Sequence, residues 1–122
     1  RSYKEYFPLS TINRSTGMIL DIQRYIDEHY LEELSLKEIS KLFYSDMYYI
    51  SHLFKKITGF TFKDYTIRLR IARAKELLIN SEEDITTVCF NSGFNNVNHF
   101  IRIFKKYEST TPYQFRKTGK KT

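Results

Sequence analysis

The sequence predicts an all-α fold of seven helices, laid out as two helix-turn-helix subdomains joined by a long connector helix. Three observations lead there. A block recurs: ISHLFKKITGFTFKDY (50–65) and FIRIFKKYESTTPYQF (100–115) align at an offset of 50. Phe54-Lys55-Lys56 then meets Phe104-Lys105-Lys106, Thr61 meets Thr111, Asp64 meets Gln114 and Tyr65 meets Phe115. Two copies are too few to stack into a solenoid. Second, helix-start residues stand before most of the apolar-periodic runs. Third, apolar residues recur three and four apart, and no stretch reads with confidence as a strand.

Residues 1–16 carry no sustained period and contain Pro8, so they read as a linker or arm. A helical period begins near Gly17, with Met18, Ile22, Tyr25, Ile26 and His29-Tyr30 near one stripe. Ser35 and Glu38 form a capping box, in which a hydroxyl takes the third helical N–H. The short helix they open carries Leu36, Ile39, Ser40 and Phe43 inward and ends near Phe43-Tyr44. Ser45 or Asp46 caps the next, which runs to about Thr58 with Ile50, Leu53, Phe54 and Ile57 inward. Gly59 stands where a left-handed residue closes a helix.

Thr61 and Asp64 resemble a second capping box and open the longest helix, to about Asn80. Its apolar members (Tyr65, Ile67, Leu69, Ile71, Ala72, Ala74, Leu77, Leu78) occupy more than one side, which suits a connector. It is also basic, through Arg68, Arg70, Arg73 and Lys75. Asp84 caps a short helix with Ile85, Val88, Cys89 and Ser92 inward, repeating the earlier spacing at an offset of 49. Gly93-Phe94 makes the turn, and Asn95 or Asn96 caps a helix through about Tyr107. In it Phe100, Ile103, Phe104 and Tyr107 face inward, with Val97 and Ile101 outside. Thr111-Pro112-Tyr113-Gln114 places Thr at the cap, Pro at the first helical position and Gln at the third. The expected division is a first subdomain over 17–60, the connector over 61–80, a second subdomain over 81–117 and a basic tail over 118–122.

Composition narrows the function. A chain of 122 residues with 10 Phe and 10 Tyr is globular in character. One cysteine allows no internal disulfide and fits a reducing cytoplasm. No apolar run approaches the ~20 residues of a membrane span, and no signal peptide is visible. A chain opening on Arg1 and not on Met is expected to be a piece of a longer one. The net charge of +6 is unevenly placed. Residues 1–84 hold 13 Lys/Arg and 13 Asp/Glu, whereas residues 85–122 hold seven Lys/Arg against the lone Glu108. Such an excess is either a solvated basic face or an electrostatic footprint for phosphate. The recurrence of the lysine pair in an otherwise balanced half favours the footprint.

A helix-turn-helix reads DNA when its second helix lies in the major groove with reachable polar side chains outward. The candidates for base contact are Tyr48, Tyr49, Ser51 and His52 in the first unit and Asn98, His99 and Arg102 in the second. Arg suits guanine and Asn suits adenine, while an exposed aromatic can touch a thymine methyl. Lys55, Lys56, Lys105 and Lys106 are candidate phosphate contacts, or alternatively cations that suit the negative end of a helix dipole. The residues offer no catalytic constellation. His29, His52 and His99 lack close metal-ligand spacing, and Cys89 sits on an apolar stripe as an inert thiol. No cofactor, no metal and no enzyme activity are expected. An alternative is a basic helical interaction module that docks an acidic partner, which leaves the duplicated motif unexplained.

In this order the motifs resemble the DNA-binding domain of the AraC/XylS family of bacterial transcription regulators. The likeness runs over about 17–117. It rests on LSLKEISKLF, Ser45, Ile50, LFKKITGFTF, YTIRLRIARAKELL, DITTVCFNSGFNN, HFIRIFKKY and TPYQFRK. The chain departs from the pattern at His52 (often Arg), Cys89 (usually Ala), Ser40 (often Ala) and Ser109 (often Gly). The resemblance implies double-stranded DNA as partner, with two recognition helices in successive major grooves about 34 Å apart. It also implies a cytoplasmic regulator, more often an activator, that works with RNA polymerase. A separate ligand-sensing or dimerisation domain on the intact chain is implied as well.

Overall fold

The structure, a computed structural model, describes residues 13–119; residues 1–12 of the arm expected over 1–16, and 120–122 of the tail expected over 118–122, lie outside the described residues. Seven helices follow in order: α1 (Arg14–His29), α2 (Leu36–Leu42), α3 (Met47–Thr58), α4 (Phe62–Asn80), α5 (Ile85–Asn91), α6 (Val97–Glu108) and α7 (Pro112–Gly119). No strand occurs among the described residues. They divide into two compact units, one of residues up to His29 with Leu34–Thr66, the other of Tyr30–Glu33 with Ile67 onward. The boundary therefore falls within α4.

In the first unit α1 and α2 both pack on α3. Helix α1 starts three residues earlier than its apolar period indicates, because Asn13 Oδ1 accepts from the Thr16 N–H at 2.7 Å. Its buried stripe is Ile19, Ile22 and Ile26, spaced i, i+3, i+7, and Met18 stays half-exposed. The expected Ile22 and Ile26 lie in the stripe, whereas Ile19 takes the place expected of Met18. Ser35 caps α2 by accepting from the Glu38 N–H at 3.0 Å. Asp46, and not Ser45, caps α3, with Oδ2 accepting from the Tyr48 and Tyr49 N–H groups at 3.0 Å each. Ile39, Ile50 and Phe54 complete the core. Burial of each such side chain contributes about 1.5–3 kcal/mol. Gly59 closes α3 at φ 85°. Thr61 Oγ1 then accepts from the Asp64 N–H at 3.0 Å and opens α4. Tyr65 packs edge-on against Phe54, with ring centres 5.6 Å apart, and its hydroxyl donates to Asp27 at 2.6 Å.

The second unit has a ladder of rings. Phe94, Phe100, Phe104 and Phe115 follow one another at centroid spacings of 5.0, 5.8 and 5.6 Å. Ile67, Ile71, Ala74 and Leu78 of α4 join Val88 and Cys89 of α5 in the same core. Ala72, expected among the apolar members of α4, is exposed. Asp84 caps α5 by accepting from the Thr87 N–H at 2.8 Å, which holds its carboxyl below the ordinary carboxylate range. Ser92 is fully buried because its hydroxyl is satisfied locally, donating to Val88 O at 2.7 Å. Burial pushes the Cys89 thiol up, which suits an unreactive core residue. Val97 and Ile101, placed outside by the helical period, pack against the core. The inward arc of α6 is broader than its strict stripe.

Candidate nucleic-acid interface

The two α2–α3 and α5–α6 turns decide which side chains each second helix presents. In the first, Tyr44 takes a left-handed backbone (φ 51°) with its ring 96% exposed. In the second, Gly93 takes φ 100°. A Cβ there would lie 2.9 Å from both Arg70 Nε and Tyr30 O, so only glycine fits. Each turn hands its chain to a side-chain cap, Asp46 or Asn96, whose Oδ1 accepts from the His99 N–H at 2.8 Å. The caps fix the first turn of α3 and of α6, and with it the outward direction of the residues that follow.

On α3 the inward residues Ile50 and Phe54 leave Tyr48, Tyr49, Ser51, His52, Lys55 and Lys56 exposed. Tyr48 is 76% exposed and Tyr49 47%. The two tyrosines differ in their ties. The Tyr49 hydroxyl hydrogen-bonds Ser15 Oγ at 2.7 Å, joining α3 to the first turn of α1. Lys55 Nζ reaches back to Gly59 O at 3.4 Å, at the carbonyl end of its own helix. On α6, Phe100 and Phe104 point inward and leave Asn98, Arg102, Lys105 and Lys106 exposed. His99 is half-buried, and its Nδ1 lies 3.2 Å from Arg102 Nη2. All seven expected base-face residues and all four lysines thus reach solvent on the second helix of their unit.

Several cations outside these two helices are committed to the protein itself. Arg70 donates to Tyr30 O at 2.8 Å and to Glu32 O at 2.9 Å, and burial lowers its guanidinium from the ordinary value. Arg116 donates to Leu78 O at 2.9 Å and Ser81 O at 3.3 Å, satisfying carbonyls at the end of α4. Lys75 pairs with Glu108 at 3.0 Å, and Arg68 lies over the Tyr107 ring at 5.2 Å. Sequence counting assigned Arg116 to the basic excess and Arg70 to a basic helix face. Their partners lie 35 to 40 residues away in the chain, and no local pattern announces them. Among the described residues no group of three or more His, Cys, Asp or Glu could hold a metal ion. No helix there is long and apolar enough to cross a membrane.

This pair of capped turns with polar second helices matches a known family. The model described as a helix-turn-helix domain fits residues 39–118. The chain belongs to the AraC-type helix-turn-helix family. Among the relatives of this AraC-type domain is the regulatory protein PocR of Salmonella typhimurium, 36% identical over 93 residues, which make up 76% of this chain and 31% of PocR. The C-terminal domain of the two-component response regulator yesN of Fusobacterium nucleatum is 34% identical with a TM-score of 0.75. That match covers 85% of this chain and 99% of the other. The DNA-binding domain of the global transcriptional factor AdpA, solved in complex with a target DNA, shares the fold. It is 19% identical with a TM-score of 0.77, over 82% of this chain and 90% of that one. The chain spans less than half the length of the curated relatives it matches. Family and fold are those of transcriptional regulators.

Proposed function

We propose that this domain binds double-stranded DNA sequence-specifically as part of a transcription regulator, with α3 and α6 in successive major grooves. The observation that carries the reading is the duplicated arrangement of a capped helix with an apolar inner face and a polar outer one. Tyr48, Tyr49, Ser51 and His52 face the first groove, and Asn98, His99 and Arg102 the second. Lys55, Lys56, Lys105 and Lys106 lie at the helix ends, where phosphates flank a groove. The AdpA domain, which shares the fold and was solved with a target DNA, supports DNA as the partner. The activity is binding without catalysis, and the setting is the cytoplasm. RNA polymerase, and a ligand-sensing or dimerisation domain on the intact chain, complete the proposed partners. Relatives of whose length the matched residues make up only 31% and 47% support the second. The acidic-partner module is not favoured, since it gives the repeated reading helices no role.

Footprinting on a site selected from random duplex DNA, repeated across a salt series, tests the proposal. The expected footprint covers two adjacent grooves of a non-palindromic site, because the two helices differ in sequence. Log affinity is expected to fall against log salt by ~0.9 per phosphate neutralised. Protection of one groove only would remove the two-helix mode. A flat salt response would return the acidic-partner module.

A further inference from the structure

We infer that His99 is a positioning residue for Arg102, and not a reader of a base pair of its own. The inference rests on the proposed DNA binding and assigns the division of labour within its second reading helix. Arg102 Nη2 and His99 Nδ1 are 3.2 Å apart, three residues along α6. A guanidinium has donors only and keeps its proton, so Nδ1 is the acceptor. The tautomer that accepts in this contact carries its ring hydrogen on Nε2. With Nδ1 engaged in this way the ring has no lone pair left for a donor on a base edge, and the Nε2–H is the one polar group it keeps.

The surroundings of the two side chains agree with unequal roles. Arg102 is exposed, whereas His99 is half-buried and sits nearer the helix body. The His99 backbone is itself fixed, because its N–H donates to the Asn96 cap at 2.8 Å. The half-buried ring, rising from a capped first turn, thus stands as a post beside a long exposed side chain. One Nη2 hydrogen goes to the post, and the remaining guanidinium donors stay available for the two acceptors of a guanine. A reading side chain whose rotamer is held by a neighbouring hydrogen bond keeps its geometry before contact, and loses less freedom on contact.

Site selection from a random duplex pool, using the 122-residue chain, distinguishes the two roles. The set comprises wild type, Arg102→Ala, His99→Ala, His99→Gln and the double alanine variant. Arg102→Ala is expected to erase preference at one base pair. His99→Ala is expected to relax preference at that same base pair roughly three- to tenfold, with the other positions unchanged. His99→Gln, which keeps an acceptor at similar reach, is expected to restore it. The double variant is expected to be no worse than Arg102→Ala, since one interaction has been removed twice. Circular dichroism of each variant checks that α6 is intact, and the glutamine rescue separates positioning from folding. Loss of preference at a different base pair in His99→Ala, additive losses in the double variant, or an unaltered Arg102 position would each overturn the inference. Wild-type chain that enriches no sequence at all would overturn the DNA-reading proposal itself, an outcome distinct from those three.

Discussion

The two units solve one architectural problem with different residues, and the difference marks where the chemistry tolerates substitution. Both need a left-handed residue between their paired helices. The first uses Tyr44, exposed to solvent with φ 51°; the second uses Gly93 at φ 100°, wedged against Arg70 and Tyr30. Both need a left-handed residue after the reading helix, supplied by Gly59 in one and Ser109 in the other. A left-handed backbone by itself costs an ordinary residue about 1–2 kcal/mol, which a packed core can absorb. Lack of space is harder to absorb. Glycine is thus obligatory at the turn where the backbone is crowded, and optional where it is open.

The largest test of that contrast compares two alanines. Gly93→Ala is expected to destabilise the second unit by about 3 kcal/mol or more, adding overpacking to backbone strain. Its obstacles are a backbone carbonyl and a guanidinium already held by two hydrogen bonds, so neither gives way. Gly59→Ala meets nothing within 4 Å and is expected to cost only about 1 kcal/mol. Urea denaturation of both variants measures the gap, and equal losses would remove the distinction between crowded and open turns.

The proposed reading faces differ as well, more aromatic in the first unit and more cationic in the second. Tyr48→Ala is expected to cost roughly 1–3 kcal/mol on a selected site and little on random duplex. Lys105→Ala is expected to weaken both by a similar factor and to lower the salt slope by about one. Fluorescence anisotropy on the two kinds of DNA separates them. Parallel losses in both variants would show that the faces share one role.

A smaller effect of opposite sign is expected at the end of α6. Ser109→Gly relieves a left-handed backbone at φ 64° and should stabilise the second unit by about 0.5–1 kcal/mol, net of the glycine's greater freedom when unfolded. The midpoint of thermal unfolding reads it. No gain would mean that the turn is already relaxed by its neighbours.

The smallest effect concerns alkaline stability. Burial, with the hydrogen bond to Asp27, raises the Tyr65 phenol from 10.0 to about 12. Its folded value exceeds its unfolded one, so its contribution is complete below pH 10 and is lost as pH rises towards 12. Tyr65→Phe, which leaves the edge-on packing with Phe54 in place, should flatten that part of the stability profile. The second unit carries Phe115 at the equivalent position and should show no matching step.

What could be read from the sequence was whatever acts within a few residues. Ser35, Thr61, Asp84 and Thr111 each accept from an N–H three residues on, and that spacing is visible in the letters. Gly59 and Gly93 stood out for the same reason. Arg70 and Arg116 did not, because a long cationic side chain looks alike whether it faces water or holds a distant carbonyl. Helical period also misjudged Val97 and Ile101, since a short helix packed on several neighbours buries more than one stripe. Of the candidate site, the outward residues were legible from the inward ones. The tie between His99 and Arg102 was visible only as a shared spacing, and that between Ser15 and Tyr49 not at all.

The guanidinium of Arg70 also has a bearing on the order in which the chain can finish folding. The carbonyls it holds, at Tyr30 and Glu32, are synthesised 40 and 38 residues before it. Every residue of the first unit up to Thr66 has been made by then, yet Tyr30–Glu33 belong to the second unit. On a ribosome Tyr30 and Glu32 emerge early and find the Arg70 guanidinium late. A nascent chain released before Arg70 would carry every residue of the first unit but lack the guanidinium that holds Tyr30 O and Glu32 O. These two hydrogen bonds are therefore made from the C-terminal side, after every residue of the first unit has been synthesised.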